Sequence, residues 1–197
     1  MRTGLYFATL VTIVSLAPGC GATTTGTILG AETSISATDA VLADFRARVA
    51  KYVALRTEVV QEVGAPELTD DPAVIWTREQ TLARRLRERR TDARHGDLLT
   101  PEVRVVFRRL LRAELQSDAG PDIRFKLQDD APAAGSIALS VNARYPAGLP
   151  FPTTPAPLLL ALPPLPRTIE YRIVGKDLLL IDQPADLILD YMRNAIG

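Results

Sequence analysis

Between Asp39 and Gly64, apolar residues recur at steps of three and four: Leu42, Phe45, Val49, Tyr52, Val53, Val59, Val60 and Val63. This spacing returns a side chain to the same side of a helix on each turn. It predicts an amphipathic helix opening at Thr38 or Asp39, both suited to the N-cap, and stopped by Gly64 and Pro66. A second helix is predicted from Asp71, with Pro72 in the first helical position, through Ile75, Leu82, Leu86 and Ala93 to His95-Gly96. The third opens with Thr100-Pro101-Glu102 and carries Val103, Val106, Phe107, Leu110, Leu111 and Leu115 as far as Asp118 and Gly120. Short connections between them favour antiparallel neighbours.

Beyond Gly120 the pattern changes. Ile137, Leu139 and Val141 alternate with Ala138, Ser140 and Asn142, the period of a half-buried strand, and residues 146 to 166 hold eight of the fifteen prolines. Ile169–Ile173 and Leu178–Ile181 flank Val174-Gly175-Lys176-Asp177, which reads as a hairpin turn. Leu187, Ile188, Tyr191, Met192 and Ala195 fit a last helix after Pro184, although Leu187, Leu189 and Tyr191 also suit a strand. The fold class is therefore α+β: three N-terminal helices, a small antiparallel sheet reached through a Pro-rich connector, and a C-terminal helix. The chain divides into a leader (1–19), a Gly/Thr-rich tether (20–38) and one domain (39–197), helical over 39–118 and mixed over 119–197.

The leader follows from the run Leu5–Leu16, 12 residues without a charge behind Arg2. As a helix it covers about 18 Å of a hydrocarbon core some 30 Å thick, too little to span it, so it reads as an export signal. Its end, Leu16-Ala17-Pro18-Gly19-Cys20, resembles the lipobox of bacterial lipoproteins. That resemblance implies cleavage after Gly19 and acylation of Cys20, which would anchor the chain in a membrane. Leu16 stands one place further from the cysteine than is usual in that family. Ala17-x-Gly19 also satisfies an ordinary secretory cleavage site, which would release a soluble protein, and an uncleaved leader would itself act as an anchor. Gly21, where some bacteria carry an inner-membrane retention Asp, tilts the expected address toward the outer membrane.

Composition narrows the chemistry. With one Cys and one His in 197 residues, neither an internal disulfide nor a metal site built on several Cys or His ligands is possible. Neither a calcium loop nor a nucleotide-binding or nucleophile-elbow motif is found, so no metal and no cofactor is expected. The net charge of zero hides three zones, near −4 over 20–76, +6 over 77–112 and −3 from 113 onward. Arg84, Arg87 and Arg94 are the candidate anion-binding residues, for which guanidinium forks suit phosphate or carboxylate. Helical geometry instead spreads the basic residues around the helix and interleaves Glu88 and Asp92, the pattern of a solvated, ion-paired face. Without aromatic interleaving, no nucleic acid is expected as a partner. His95 reads as a helix C-terminal residue interacting with the dipole, Asp177 as a turn residue, Asp182 as an acid near a helix start, and Asp186 and Asp190 as sharing a helix face with Arg193 in reach of Asp190.

Three segments, Arg94-His95-Gly96-Asp97, Asn142-Ala-Arg-Tyr145-Pro146 and Leu162 to Asp190, resemble those of uncharacterised exported bacterial proteins that join an Arg-rich helical half to a Leu-Pro-Pro-Leu-Pro and hairpin ending. The resemblance implies no catalytic residues. The expectation is a lipid-anchored, periplasm-facing envelope protein with a non-catalytic binding or scaffolding body, its partner an envelope protein or an anionic ligand. The alternatives are a soluble periplasmic hydrolase using His95 or the C-terminal acids, and an anion-binding module on the Arg-rich helices.

Overall fold

The computed structural model describes residues 26–64, 69–129, 138–146 and 152–196. Five helices, α1 (Gly26–Val63), α2 (Pro72–Arg89), α3 (Pro101–Gln116), α4 (Gly120–Asp129) and α5 (Ala156–Ala161), accompany three strands, β1 (Ile169–Val174), β2 (Asp177–Asp182) and β3 (Leu187–Met192). The fold class is α+β as read from the pattern. The leader, Cys20 and Ile137 lie outside the described residues.

Two local signals act as expected. Asp71 accepts from the Ala73 N–H at the start of α2, and Thr100 accepts from the Val103 N–H at the start of α3, each followed by proline at the first helical position. The hairpin turns on Gly175-Lys176, with Gly175 at φ +61° and Lys176 on the negative side, the pattern of a type II′ turn.

Other elements differ from the expectation. Helix α1 runs back to Gly26 and takes in residues 26–38, read as a tether; with no proline there, each residue added to an existing helix gains a hydrogen bond without the cost of nucleation. Helix α2 ends at Arg89, short of His95-Gly96: Arg90 and Ala93 close turns of the i to i−3 type, Arg94 N–H bonds the Asp97 side chain, and Gly96, Leu98 and Leu99 N–H bind a strand carboxylate. Helices α4 and α5 have no counterpart in the expectation. Helix α4 starts beside Leu115 so closely that a Cβ on Gly120 would stand 2.2 Å from the Leu115 carbonyl oxygen.

The strand expected over 137–141 does not form among the described residues. Leu139 packs against the sheet, but pairing begins only at Asn142, whose φ of +64° breaks the extended run, and the segment meets β3 through one bridge, Arg144 to Leu187. The expected C-terminal helix is β3. Leu187, Leu189 and Met192 face the helices while Ile188 and Tyr191 face the other side; apolar residues needed on both faces are the mark of a covered strand.

The sheet order is β1-β2-β3, antiparallel throughout. One face packs on the helices, with Phe45, Phe107 and Tyr171 in successive edge-to-face contact at 5.1 and 5.9 Å, linking α1 through α3 to β1. The other face carries Val174, Leu179, Ile181 and Ile188 under Leu139 and Tyr145. The β2–β3 register shifts between Leu180 and Ile181, so that Leu180 opposes Asp190 and Ile181 opposes Ile188. Leu189 is thereby an extra residue, and the bulge turns Asp190 to the helix side, where unbroken alternation would send it to the opposite face.

Asp190 is completely buried. Its carboxylate accepts from the backbone N–H groups of Gly96, Leu98, Leu99 and Tyr191 at 2.8–3.1 Å, with His95 Nδ1 at 3.2 Å. Asp182, equally buried, accepts from Tyr52 Oη at 2.5 Å and Arg56 Nε at 2.6 Å, both on α1, and from the Ala185 N–H of the 3₁₀ turn Gln183–Ala185. Arg90, read as a solvated arginine, is buried over the Tyr52 ring and exchanges hydrogen bonds with Asn142. Asp190→Asn puts an amide among donors that need an acceptor, and each buried group left unsatisfied costs about 1–3 kcal/mol. Urea unfolding should record a loss of about 3 kcal/mol or more; a loss below about 1 kcal/mol would show that the loop holds without the carboxylate.

Candidate functional site

The charged cleft of the molecule lies at the end of the sheet where β1 begins and β2 ends. It has a volume of about 300 Å³ and is lined by Glu79 of α2, Arg144, Glu170 and Arg172 of β1, Ile181 of β2, Gln183 and Asp186. Local backbone geometry sets the two residues at its centre. Asp186 takes the left-handed conformation, φ +50°, between the 3₁₀ turn and β3. Aspartate tolerates this region better than most residues, and strain of this kind collects at binding sites. Arg144 is brought opposite it by the hydrogen bonds of Asn142 N–H to the Ile188 carbonyl, Ile188 N–H to Ala143 and Tyr145 N–H to Asp186.

The Arg144–Asp186 pair is half closed. Nη2 stands 3.2 Å from Oδ2, long for a charge-assisted bond, while Arg144 Nε and Asp186 Oδ1 are buried and without a partner among the described residues. Beside it Glu170 pairs with Arg172, and Arg172 Nη1 also donates to the Pro152 carbonyl. Burial pushes the Asp186 carboxyl above its ordinary value, with Arg144 working against the shift and Glu79 adding to it. Both side chains keep part of their surface open, so a loosely paired donor and acceptor face a group that offers both, such as an amide or an amino acid.

The residues singled out in the sequence lie elsewhere. Arg84 is exposed on α2, Arg87 is half-buried on the same helix, and Arg94 is exposed in the loop beyond it. The shared flank of Arg87 and Arg94 depended on a helix running to residue 95, and none of the three lines a described cavity. Of the other arginines of this zone, Arg89 bonds Glu58 and Glu62 on α1 and Arg85 bonds Glu88, as expected of an ion-paired face.

His95 is no helix cap. It stacks on Tyr191 with ring centroids 4.1 Å apart, and its Nδ1 meets Asp190, which favours the Nδ1–H tautomer. Asp190 and Arg193 do not pair: β3 buries Asp190 in the loop 94–99, and Arg193 pairs with Asp177 at 2.5 Å. Nor do Asp186 and Asp190 share a helix face, since one is in a turn and the other in a strand. The sequence reading passed over Glu79, Arg172 and the pairing of Arg144 with Asp186. Only the grouping of Asn142, Arg144 and Tyr145 before Pro146 marked this region, and no local pattern joins it to residue 186.

Compared with known proteins, the chain matches no family model, and no curated protein or solved structure shows significant similarity to it.

The Asp186 shift sets a pH dependence. In the unfolded chain the carboxyl ionises at its ordinary value, 3.8; in the folded protein it holds its proton to higher pH. Its contribution is fully present below the unfolded value and is lost as pH rises through the native one. Asp186→Asn, which keeps the left-handed turn, removes that titration. In urea unfolding at a series of pH values, the stability of the wild type relative to the variant should fall as pH rises from below about 4. A difference that stays constant across the series would contradict this assignment.

Proposed function

We propose that this protein is an exported lipoprotein, anchored through acylated Cys20 and facing the periplasm, whose body is a non-catalytic module that binds a small polar ligand in the cleft at the end of the sheet. The anchor is supported by the uncharged run Leu5–Leu16 and the ending Gly19-Cys20. The observation that carries the binding reading is the Arg144–Asp186 pair, joined by one long contact of 3.2 Å, with 27% and 22% of the two side chains exposed, in the lining of a cleft. A ligand that offers an acceptor to the arginine and a donor to the aspartate can compete with that long contact from the cleft.

A binding rather than hydrolytic role is further supported by how the acid–base side chains are used. Asp190 and Asp182 hold backbone and side-chain donors from the helical half, and His95 lies against Tyr191 outside the described cavities. No helix among the described residues is long and apolar enough to cross a membrane. Attachment in this reading rests on the lipid, and the absence of Asp at position 21 favours the outer membrane.

Cells fed an alkyne fatty acid should label the wild type in the membrane fraction and leave Cys20→Ser unlabelled and released. An unlabelled wild type with unchanged fractionation of the variant would overturn the anchor. For the cleft, thermal unfolding of the purified protein with free amino acids and dipeptides at millimolar concentration should raise the midpoint of the wild type but not of Arg144→Met or Asp186→Asn. No shift with any of these compounds would overturn the cleft assignment and leave the anchor standing.

A further inference from the structure

A second cleft lies on the far side of the hairpin from the charged one, between α3, α4, the β1–β2 turn and the C-terminal residues. Its volume is about 460 Å³, within the range of roughly 300–1,000 Å³ that small-molecule sites occupy. Its floor is apolar, built from Leu115, Leu127 and Ile196, and its rim carries Arg112, Arg124 and Lys176. No acidic side chain lines it among the described residues.

Each cation is placed by a separate feature of the fold. Arg124 donates through Nη1 to the Leu115 carbonyl at 2.7 Å, closing the end of α3 and leaving the rest of its guanidinium toward solvent. Lys176 sits at the tip of the type II′ turn, where its carbonyl oxygen accepts from the N–H groups of Ala195 and Ile196 at 2.7 and 3.3 Å. That pair of bonds fixes the turn against Ile196 and holds the lysine at the rim. Arg112 is exposed on α3, four residues from Gln116, which also lines the cleft.

This contrasts with the charged cleft and with the ion-paired arginines elsewhere. The charged cleft balances arginines with carboxylates, and Arg48, Arg56, Arg85, Arg89 and Arg193 each have an acidic partner. Here three cations line one cleft together with apolar side chains and with no carboxylate among the described lining residues, an arrangement that favours an anion. We propose that this cleft binds a small anionic amphiphile: a single apolar chain lying on Leu115, Leu127 and Ile196, ending in a carboxylate or phosphate held by Arg112, Arg124 and Lys176. The site is separate from the Arg144–Asp186 cleft and shares no lining residue with it.

Decanoate is the probe. Titrated into the purified protein at low salt and followed by amide NMR, it should saturate and shift the signals of residues 112–116, 124–128 and 175–176. Decyl phosphate should behave alike. Arg112→Gln combined with Lys176→Gln, both solvent-exposed changes, should weaken decanoate at least tenfold, while Arg84→Gln combined with Arg87→Gln leaves it unchanged. Equal affinity for decyl maltoside would overturn the proposal by showing that charge is not read. Equal affinity for inorganic phosphate would overturn it by showing that the chain is not read. Binding to anionic vesicles with no saturable binding of monomeric decanoate would replace the cleft by a membrane-facing surface. Loss of the Arg144–Asp186 ligand in the charged cleft would not affect any of these results.

Discussion

The carboxylate of Asp190 is the constraint on which the arrangement depends. It is buried without a cationic side chain bonded to it, and its charge is satisfied by backbone N–H groups converging from residues 96–99 and 191. Hydrogen bonds to an ionised acceptor are among the stronger ones in proteins, and here they have no solvent to compete with them. The connection between α2 and α3 is consequently wrapped around a strand residue instead of continuing the helix. The carboxylate reaches that position only because Leu189 bulges out of register and turns the next side chain toward the helices. A local irregularity of one strand thus places the acceptor around which a loop about ninety residues earlier is bonded.

Asp182 repeats the device on the neighbouring strand, with α1 as its partner through Tyr52 and Arg56. Arg90 closes the circuit, lying over Tyr52 while bonding the Leu189 carbonyl and Asn142. Burial lowers the proton affinity of its guanidinium, and the surrounding tyrosine and carboxylates offset that. With the two acids and the ring contacts from Phe45 to Tyr171, the sheet is held to the helices by directional bonds as well as apolar area. Segments far apart in the chain meet around this network: Arg94–Asp97 folds around Asp190, Asn142 clasps Arg90, and Arg144 faces Asp186. Both clefts form at the margins of this rigid centre, one at each end of the hairpin, where side chains are supported from behind and open in front.

Much of the architecture was legible residue by residue. The caps Asp71 and Thr100, the prolines that follow them and Gly175 in the turn act within a few residues of themselves, so their effect could be read directly. The Leu187–Met192 stretch was not, because five apolar residues around Asp190 suit a covered strand and part of a helix equally; only the presence of β2 to pair with settles it. The clefts were less legible still. Arg112 stood in an arginine-rich zone and Arg144 in a marked segment, yet the residues that complete each site come from the sheet and its turns, at separations no periodicity spans.

By itself the sequence determined the class of fold, the starts of α2 and α3, the hairpin turn, and the exclusion of an internal disulfide and of multi-cysteine metal chemistry, since each follows from local sterics or from a count. It also carries the uncharged run Leu5–Leu16 and the cysteine on which the proposed lipid anchor rests. The tertiary structure alone decided that Asp190 and Asp182 are interior pins instead of surface acids, that Arg90 is buried and that α2 stops at Arg89. The physical reason is the same in every case: the fate of a charge depends on which donors are brought to it, and here those donors arrive from the other half of the chain.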